Sequence, residues 1–152
     1  MSQCSNLELK EASSHDTDLL LELMSGFNQE ENIDFDTEVY RERIHVAFNL
    51  PQLVKIWMIV ANSCTVGYVI LTFTFSFEFG GIIATIDEIY IAPEKRGQGL
   101  GTSVLELLAQ EAITYGATTL SGDISDKKPW LSTFYKRAGF ECYLYRPYYK
   151  QL

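Results

Sequence analysis

A glycine-rich segment between a predicted strand and a predicted helix constrains the fold of this chain most. It covers residues 96–101, reads Arg-Gly-Gln-Gly-Leu-Gly, follows the apolar run Ile86–Ile91 and leads into the helix-like Thr102–Tyr115. Alternate glycines leave a turn in which backbone N–H groups can approach a ligand closely. The first N–H groups of a helix lack partners, and the helix dipole is positive there, so this position favours an anion. We predict that a pyrophosphate binds at this turn.

Two common phosphate-binding loops do not fit the segment. The dinucleotide fingerprint Gly-x-Gly-x-x-Gly would need its third glycine at Thr102 or Val104. The nucleoside-triphosphate loop needs a Gly-Lys pair, and the sequence contains none. The pattern that does fit is Arg/Gln-x-x-Gly-x-Gly, which is filled here by Arg96, Gly99 and Gly101.

Two flanking signatures make this pattern more specific. The strand before the turn reads Asp-Glu-Ile-Tyr-Ile-Ala-Pro over residues 87–93, and residues 134–140 read Phe-Tyr-Lys-Arg-Ala-Gly-Phe. With these flanks, the chain resembles the GNAT superfamily of acyl-CoA N-acyltransferases from about residue 66 to residue 142. The resemblance implies that acetyl-CoA is the co-substrate and that its pyrophosphate is held by the turn.

The resemblance also implies which residues contact acetyl-CoA. Backbone groups of the strand would pair with the pantetheine arm and face the carbonyl oxygen, and the turn would hold the phosphates. Lys128 stands where the family often has an asparagine that contacts the arm, and we expect Lys127 or Lys128 to meet a phosphate instead. The cofactor-binding residues expected are Ile89, Tyr90, Ile91, Arg96, Gly97, Gln98, Gly99, Leu100, Gly101, Thr102, Lys128 and Tyr135.

Hydrophobic periodicity predicts strands and helices in the order βαα, βββ, α, β, α, β, and the length of the chain predicts a single domain over residues 1–152. The predicted strands are 6–11, 53–61, 65–77, 82–91, 118–124 and 140–145, and the predicted helices are 16–24, 37–49, 102–115 and 129–138. The segment 26–36 breaks the helical pattern. We expect an α/β fold, with a mixed and mostly antiparallel sheet of about six to seven strands and about four helices on its two faces, as the resemblance also implies.

Composition limits the partners that the chain is expected to have. A formal net charge of −8 and a pI near 4.7 argue against a nucleic-acid partner, which would need a basic surface. No apolar run is long enough to span a membrane, and the first residues do not resemble a signal peptide. Three cysteines without ligand or pairing spacing suggest free thiols, a cytoplasmic location and no metal. The oligomeric state stays open, with a homodimer among the options.

Acyl transfer from a thioester to an amine needs a base for the amine, because a lysine-type amine has a pKa of about 10.4 and arrives protonated. The strand before the turn offers Asp87 and Glu88. Adjacent residues of a regular strand point to opposite faces, so we expect only one of the two to face the cleft. We favour Glu88, and Asp87 stays the alternative.

The reaction also needs an acid for the departing thiolate. Tyr135 falls on the tyrosine of the Phe-Tyr-x-x-x-Gly-Phe signature. The resemblance implies that this hydroxyl reaches the sulfur of coenzyme A, and a tyrosine is protonated at neutral pH.

The resemblance implies that the acceptor pocket is formed by the first two helices, the loop that connects them and the hairpin before the central strand. These parts carry carboxylates and aromatic rings, which suit a cationic amine. The expected substrate-binding residues are Phe27, Glu30, Glu31 and Phe79.

The function predicted from the sequence is transfer of an acetyl group from acetyl-CoA to a primary amine of a small molecule or protein, by direct attack in a ternary complex. The alternative is a non-catalytic acyl-CoA-binding or regulatory domain of the same fold. The presence of both Glu88 and Tyr135 favours the enzyme.

Overall fold

The computed structural model describes residues 6–143 and 148–152. Their strands are β1 Leu7–Glu11, β2 Val54–Ala61, β3 Cys64–Ser76, β4 Gly81–Ile91 and β5 Ala117–Gly122. Their α-helices are α1 Thr17–Glu31, α2 Thr37–Phe48, α3 Leu100–Thr114 and α4 Trp130–Arg137. No helix within this part of the chain combines the length and the apolar character that crossing a membrane requires.

The strands form one mixed sheet in the order β1-β2-β3-β4-β5. Strands β1 to β4 pair antiparallel, and β5 pairs parallel to β4. The predicted mixed, mostly antiparallel sheet is confirmed, although the described residues contribute five strands instead of six to seven. Residues 140–143 of the predicted last strand do not form one: the Phe140 N–H is bonded to the Tyr135 carbonyl at the end of α4, and the two rings pack together. Residues 144 and 145 lie outside the described residues.

Helices cover both faces of the sheet, as predicted. One face packs against α3 and α4 through buried apolar side chains that include Trp57, Val69, Leu71, Ala84, Val104 and Leu108. The other face packs against α1 and α2 through Leu20, Met24, Ile44, Met58 and Tyr68. The sheet is therefore the middle layer between two apolar cores.

Helix α1 is longer than predicted, because it runs through Gly26 to Glu31 instead of ending at Met24. Glycine normally weakens a helix, which is why the sequence pattern indicated a break there. A Cβ atom at Gly26 would lie only 2.5 Å from the Tyr90 hydroxyl oxygen, so any larger residue would push α1 away from β4. The glycine is explained by close packing between helix and sheet.

The part of α1 beyond its predicted end positions three side chains for the site. Phe27, Glu30 and Glu31 are three and four residues apart, so they share one face of the helix. The helix then ends at Asn32, whose φ of 55° is left-handed. Residues that the sequence analysis assigned to a loop thus project from a rigid helix.

A β-bulge interrupts β4 at its centre. Ile86 and Glu88 pair with neighbouring residues of β3, which leaves Asp87 as an extra residue between them. Ile86 packs into the core under α3 and α4, whereas Tyr90 packs into the core under α1 and α2. The bulge therefore reverses the alternation of faces, and Glu88 lies on the face of α1 and α2.

Strands β4 and β5 separate beyond the bulge. Their last pair is Ile86 with Gly122, while β4 continues to Ile91 in contact with β3 alone. Beyond Ile86, the edge of β4 that faces away from β3 has no strand of the described residues beside it. This gap between two parallel strands is where the site lies.

Candidate active site

The glycine-rich turn stands at the start of α3. Gly97 has a φ of 78° and Gly99 a φ of 75°, which only glycine adopts readily. An added Cβ atom at either position would meet nothing within 4 Å, so both face open space. Helix α3 begins at Leu100, and no side chain caps it. Its first N–H groups are therefore available to an anion, as a pyrophosphate site requires.

Two further glycines allow helix α4 to pack closely beside this turn. A Cβ atom at Gly101 would lie 3.0 Å from the ring of Phe134. A Cβ atom at Gly122 would lie 2.8 Å from the ring and hydroxyl of Tyr135. Gly101 therefore serves helix packing as well as backbone access, and Gly122 makes room for Tyr135 at the gap between β4 and β5.

Tyr135 is buried in the wall of the site. Only 6% of it is exposed, and its ring contacts Phe134 and Phe140. Burial raises the pKa of its hydroxyl, and the negative charge of Asp123 raises it further. The hydroxyl therefore stays protonated at neutral pH and can act as a proton donor.

Asp87 and Glu88 both line the site, whereas only one of them was expected there. The expectation assumed a regular strand, and the bulge at Asp87 removes the strict alternation. Glu88 accepts a hydrogen bond of 2.6 Å from the buried hydroxyl of Tyr68.

Both carboxyls have raised pKa values. Burial is the main cause of the raised pKa of Glu88, and the negative charge of Asp87 raises it further. The hydrogen bond from Tyr68 and, to a smaller extent, the positive charge of Arg43 lower the pKa of Glu88. For Asp87 the causes are burial and then the charge of Asp123. A carboxyl whose pKa is raised toward neutrality is a stronger base once ionised, which suits proton abstraction.

Two ion pairs connect α1 to the opposite wall. Nη2 of Arg96 lies 2.8 Å from Oε1 of Glu30, and Lys128 pairs with Glu31. Arg96 also donates a hydrogen bond of 2.7 Å from Nε to the Ile91 carbonyl. The two cations predicted to hold phosphates are therefore paired with the two carboxylates predicted to hold an acceptor.

These features enclose one cavity of about 520 Å³. Sixteen of the predicted site residues line it: Phe27, Glu30, Glu31, Asp87, Glu88, Ile89, Tyr90, Ile91, Arg96, Gly97, Gly99, Leu100, Gly101, Thr102, Lys128 and Tyr135. Ligand pockets typically have volumes of roughly 300–1,000 Å³, so this cavity is large enough for a small-molecule site.

The structure places two predicted site residues elsewhere. Gln98 is exposed in the turn and does not line the cavity. Phe79 lies in the β3–β4 hairpin, where its ring packs 5.4 Å from that of Tyr143. The cavity wall also contains residues that the sequence analysis did not assign to the site, namely Ile86, Asp123, Ser125, Trp130, Leu131 and Phe134. Phe134 belongs to the signature that contains Tyr135, which was the available signal for it.

Within residues 6–143 and 148–152, no group of three or more His, Cys, Asp and Glu side chains is arranged to hold a metal ion. Asp87, Glu88 and Asp123 all line the cavity, but they do not form such a group.

Comparison with known proteins gives the family. Residues 53–142 match the family model described as an acetyltransferase (GNAT) domain. The chain belongs to the GNAT acetyltransferase family. The matched GNAT region runs from just before β2 to beyond α4 and includes the glycine-rich turn, β4 and Tyr135. Helix α1, which supplies one wall of the cavity, lies outside it.

Curated relatives carry acetyltransferase names. Thialysine N-epsilon-acetyltransferase of Bos taurus is 33% identical over 76 residues, which are 50% of this chain and 44% of that protein. The match thus spans less than half of the cattle protein. Aminoalkylphosphonate N-acetyltransferase of Salmonella typhimurium is 27% identical over 134 residues, 88% of this chain and 84% of that protein.

Solved structures share the fold over nearly the whole chain. An integron cassette protein from the mobile metagenome of Cole Harbour salt marsh has a TM-score of 0.82 and 29% identity, covering 95% of this chain and 90% of that one. A predicted acetyltransferase of Clostridium acetobutylicum, solved with acetyl-CoA, has a TM-score of 0.74 and 19% identity, covering 95% and 96%.

Proposed function

We propose that this protein is an N-acetyltransferase that transfers the acetyl group of acetyl-CoA to a primary amine of a small molecule or protein, by direct attack in a ternary complex. The observation that carries the proposal is that one cavity joins the uncapped start of α3, the open edge of β4, two carboxyls and Tyr135. We assign residues 1–152 to a single domain.

The residues present suit acetyl-CoA, which supplies the activated acetyl group as a thioester. The turn from Gly97 to Thr102 offers unpaired N–H groups for the pyrophosphate. Arg96 and Lys128 supply positive charge beside it. The open edge of β4 at Ile89–Ile91 offers backbone groups to the pantetheine arm and to the carbonyl oxygen, although the Ile91 carbonyl already accepts a bond from Arg96.

The two carboxyls and Tyr135 carry out the proton transfers of the reaction. Glu88, with Asp87 as the alternative base, takes a proton from the ammonium form of the acceptor, so that its nitrogen can attack the thioester carbonyl. The new C–N bond forms as the C–S bond breaks. The Tyr135 hydroxyl then gives a proton to the departing thiolate, and its raised pKa keeps that proton in place until it is needed.

A primary amine is the acceptor class that the site supports. Curated relatives of this chain are named thialysine N-epsilon-acetyltransferase and aminoalkylphosphonate N-acetyltransferase. Phe27, Glu30 and Glu31 place an aromatic ring and two carboxylates at the cavity wall opposite the turn, where they suit a cation. The exposed Cys64 and Cys142 are free thiols, in keeping with a cytoplasmic location.

A screen of primary amines with acetyl-CoA tests this function. We expect acetyl-CoA to bind and at least one amine to cause release of free thiol, with a matching acetylated product in mass spectrometry. The control uses the same amines without protein. Binding of acetyl-CoA without thiol release across the panel would favour the non-catalytic alternative.

A further inference from the structure

Tyr68 is buried directly behind the cavity and is absent from its lining. It lies on β3 and is 0% exposed. A buried tyrosine hydroxyl needs a polar partner, and here the partner is a carboxylate. The hydroxyl donates a hydrogen bond of 2.6 Å to Oε2 of Glu88.

Sheet geometry explains why these side chains meet. Tyr68 is paired across from Tyr90, and Glu88 is paired across from Ile70, so Tyr68 and Glu88 are diagonal neighbours on adjacent strands. Long side chains reach each other across such a diagonal when they share a face. The bulge at Asp87 puts Glu88 on that face.

The tyrosine ring is held in place from two sides. Phe27 of α1 approaches it edge-on with 6.5 Å between ring centroids, and Tyr90 of β4 lies at 6.0 Å. A ring packed in this way keeps its hydroxyl in one position. The hydrogen bond therefore fixes the carboxylate as well.

We propose that Tyr68 is a positioning residue of the acetyl transfer, whose hydroxyl holds the Glu88 carboxylate in the orientation from which it takes the proton of the amine. The inference rests on the proposed function. Tyr68 acts through Glu88 and does not line the cavity.

The groups around Glu88 determine in which direction its pKa changes when the Tyr68 hydroxyl is lost. Asp87 on the same strand opposes ionisation of Glu88, and Arg43 on α2 favours it. Glu30 and Glu31 on α1 line the same cavity in ion pairs with Arg96 and Lys128, and Asp123 lines it from beyond β5. The hydrogen bond from Tyr68 also favours the ionised carboxylate, so its loss raises the pKa of Glu88.

Tyr68→Phe tests the inference, because it removes the hydroxyl and keeps the ring. Tyr115→Phe is the matched control: its hydroxyl also donates to a carboxylate, at 2.9 Å from Oε2 of Glu11, away from the cavity. We expect Tyr68→Phe to lower kcat by roughly tenfold, part of what a base contributes, with an unchanged KM for acetyl-CoA. We expect the acidic limb of its pH–rate profile to move to higher pH.

A second comparison separates positioning from general damage. In a Glu88→Gln background, Tyr68→Phe should cause little further loss, because the two residues act as one unit. A carbon-13 NMR titration of the Glu88 carboxyl should show the same upward shift in Tyr68→Phe without any turnover, and thermal unfolding checks that both variants fold.

The outcomes are distinguishable. An active wild type with a Tyr68→Phe variant that matches Tyr115→Phe in rate and pH profile would overturn this inference alone. An equal loss with and without Glu88 would also overturn it. A wild type that binds acetyl-CoA and acetylates no amine would overturn the proposed function, and this role of Tyr68 with it.

Discussion

Arg96 and Glu30 form a bifurcated ion pair across the cavity, in which Nη2 of Arg96 lies 2.8 Å and 3.0 Å from the two carboxylate oxygens of Glu30. The arginine belongs to the glycine-rich turn and the glutamate to α1. An anionic ligand at the turn must compete with Glu30 for this guanidinium. The pair therefore links binding at the turn to the position of the α1 carboxylate.

We predict that Glu30→Gln tightens the binding of acetyl-CoA by up to about fivefold, because a partly exposed ion pair contributes about 0.2–1 kcal/mol and would no longer compete. Isothermal titration calorimetry measures this directly. Asp18→Asn is the control, since Asp18 pairs with Arg41 in an exposed ion pair away from the cavity. Weaker binding in Glu30→Gln would show that the carboxylate supports the ligand site.

We predict that Gly99→Asp abolishes acetyl-CoA binding, whereas Gly99→Asn weakens it far less. Both side chains have about the same size, and both tolerate a positive φ better than most residues do. Only aspartate places a negative charge at the uncapped start of α3, where a pyrophosphate is expected. Isothermal titration calorimetry measures the acetyl-CoA affinity of the two variants. An equal loss of affinity in both would show that the negative charge is not the cause. Gly101 is less suitable, because a side chain there would strike Phe134.

We predict that Tyr135→Phe lowers kcat by about 10²-fold or more and leaves the KM for acetyl-CoA nearly unchanged. The change removes a proton donor and keeps the ring that packs against Phe134 and Phe140. Steady-state kinetics at saturating amine checks it. A loss below about fivefold would make Tyr135 a packing residue.

The pH dependence of the rate should distinguish the two carboxyls. Glu88 must be ionised to accept a proton, and burial raises its pKa, so activity is lost as the pH falls through that raised value. The acidic limb should therefore lie at higher pH than an exposed glutamate would give. Glu88→Gln should cut kcat/KM and flatten this limb, while Asp87→Asn should do less.

A larger loss in Asp87→Asn would reassign the base to Asp87. If neither substitution changes the profile, both carboxyls are structural. Thermal unfolding of the two variants provides the control, because both replacements keep the side-chain shape.

The parts of the site that are local in sequence could be predicted from it. The turn at residues 96–101 and the signature around Tyr135 are short motifs, and the structure brings both to one cavity. The mixed sheet with helices on both faces could also be predicted from the order of the elements, in which two helices, three successive strands and two helix–strand units follow the first strand.

The parts that depend on contacts between distant residues could not be predicted. Gly26 indicates a helix break in the sequence, and only its distance of 2.5 Å from Tyr90 explains why the helix continues. The bulge at Asp87 depends on pairing with β3, so the sequence gives no sign that Asp87 and Glu88 share a cavity. Tyr68 was missed, although a tyrosine inside the apolar run of β3 signals a buried hydroxyl that needs a partner.

The most direct test of acetyl transfer in this cavity follows an isotope-labelled acetyl group. Wild-type protein is mixed with labelled acetyl-CoA, either without an amine or with an amine acceptor from the screen. The masses of the protein and of the amine are then measured by mass spectrometry. We predict label on the amine when both substrates are present, no labelled protein at any time, and little product from a variant that combines Glu88→Gln with Tyr135→Phe. Label that accumulates on the protein, or product formation that survives the loss of both side chains, would contradict the account.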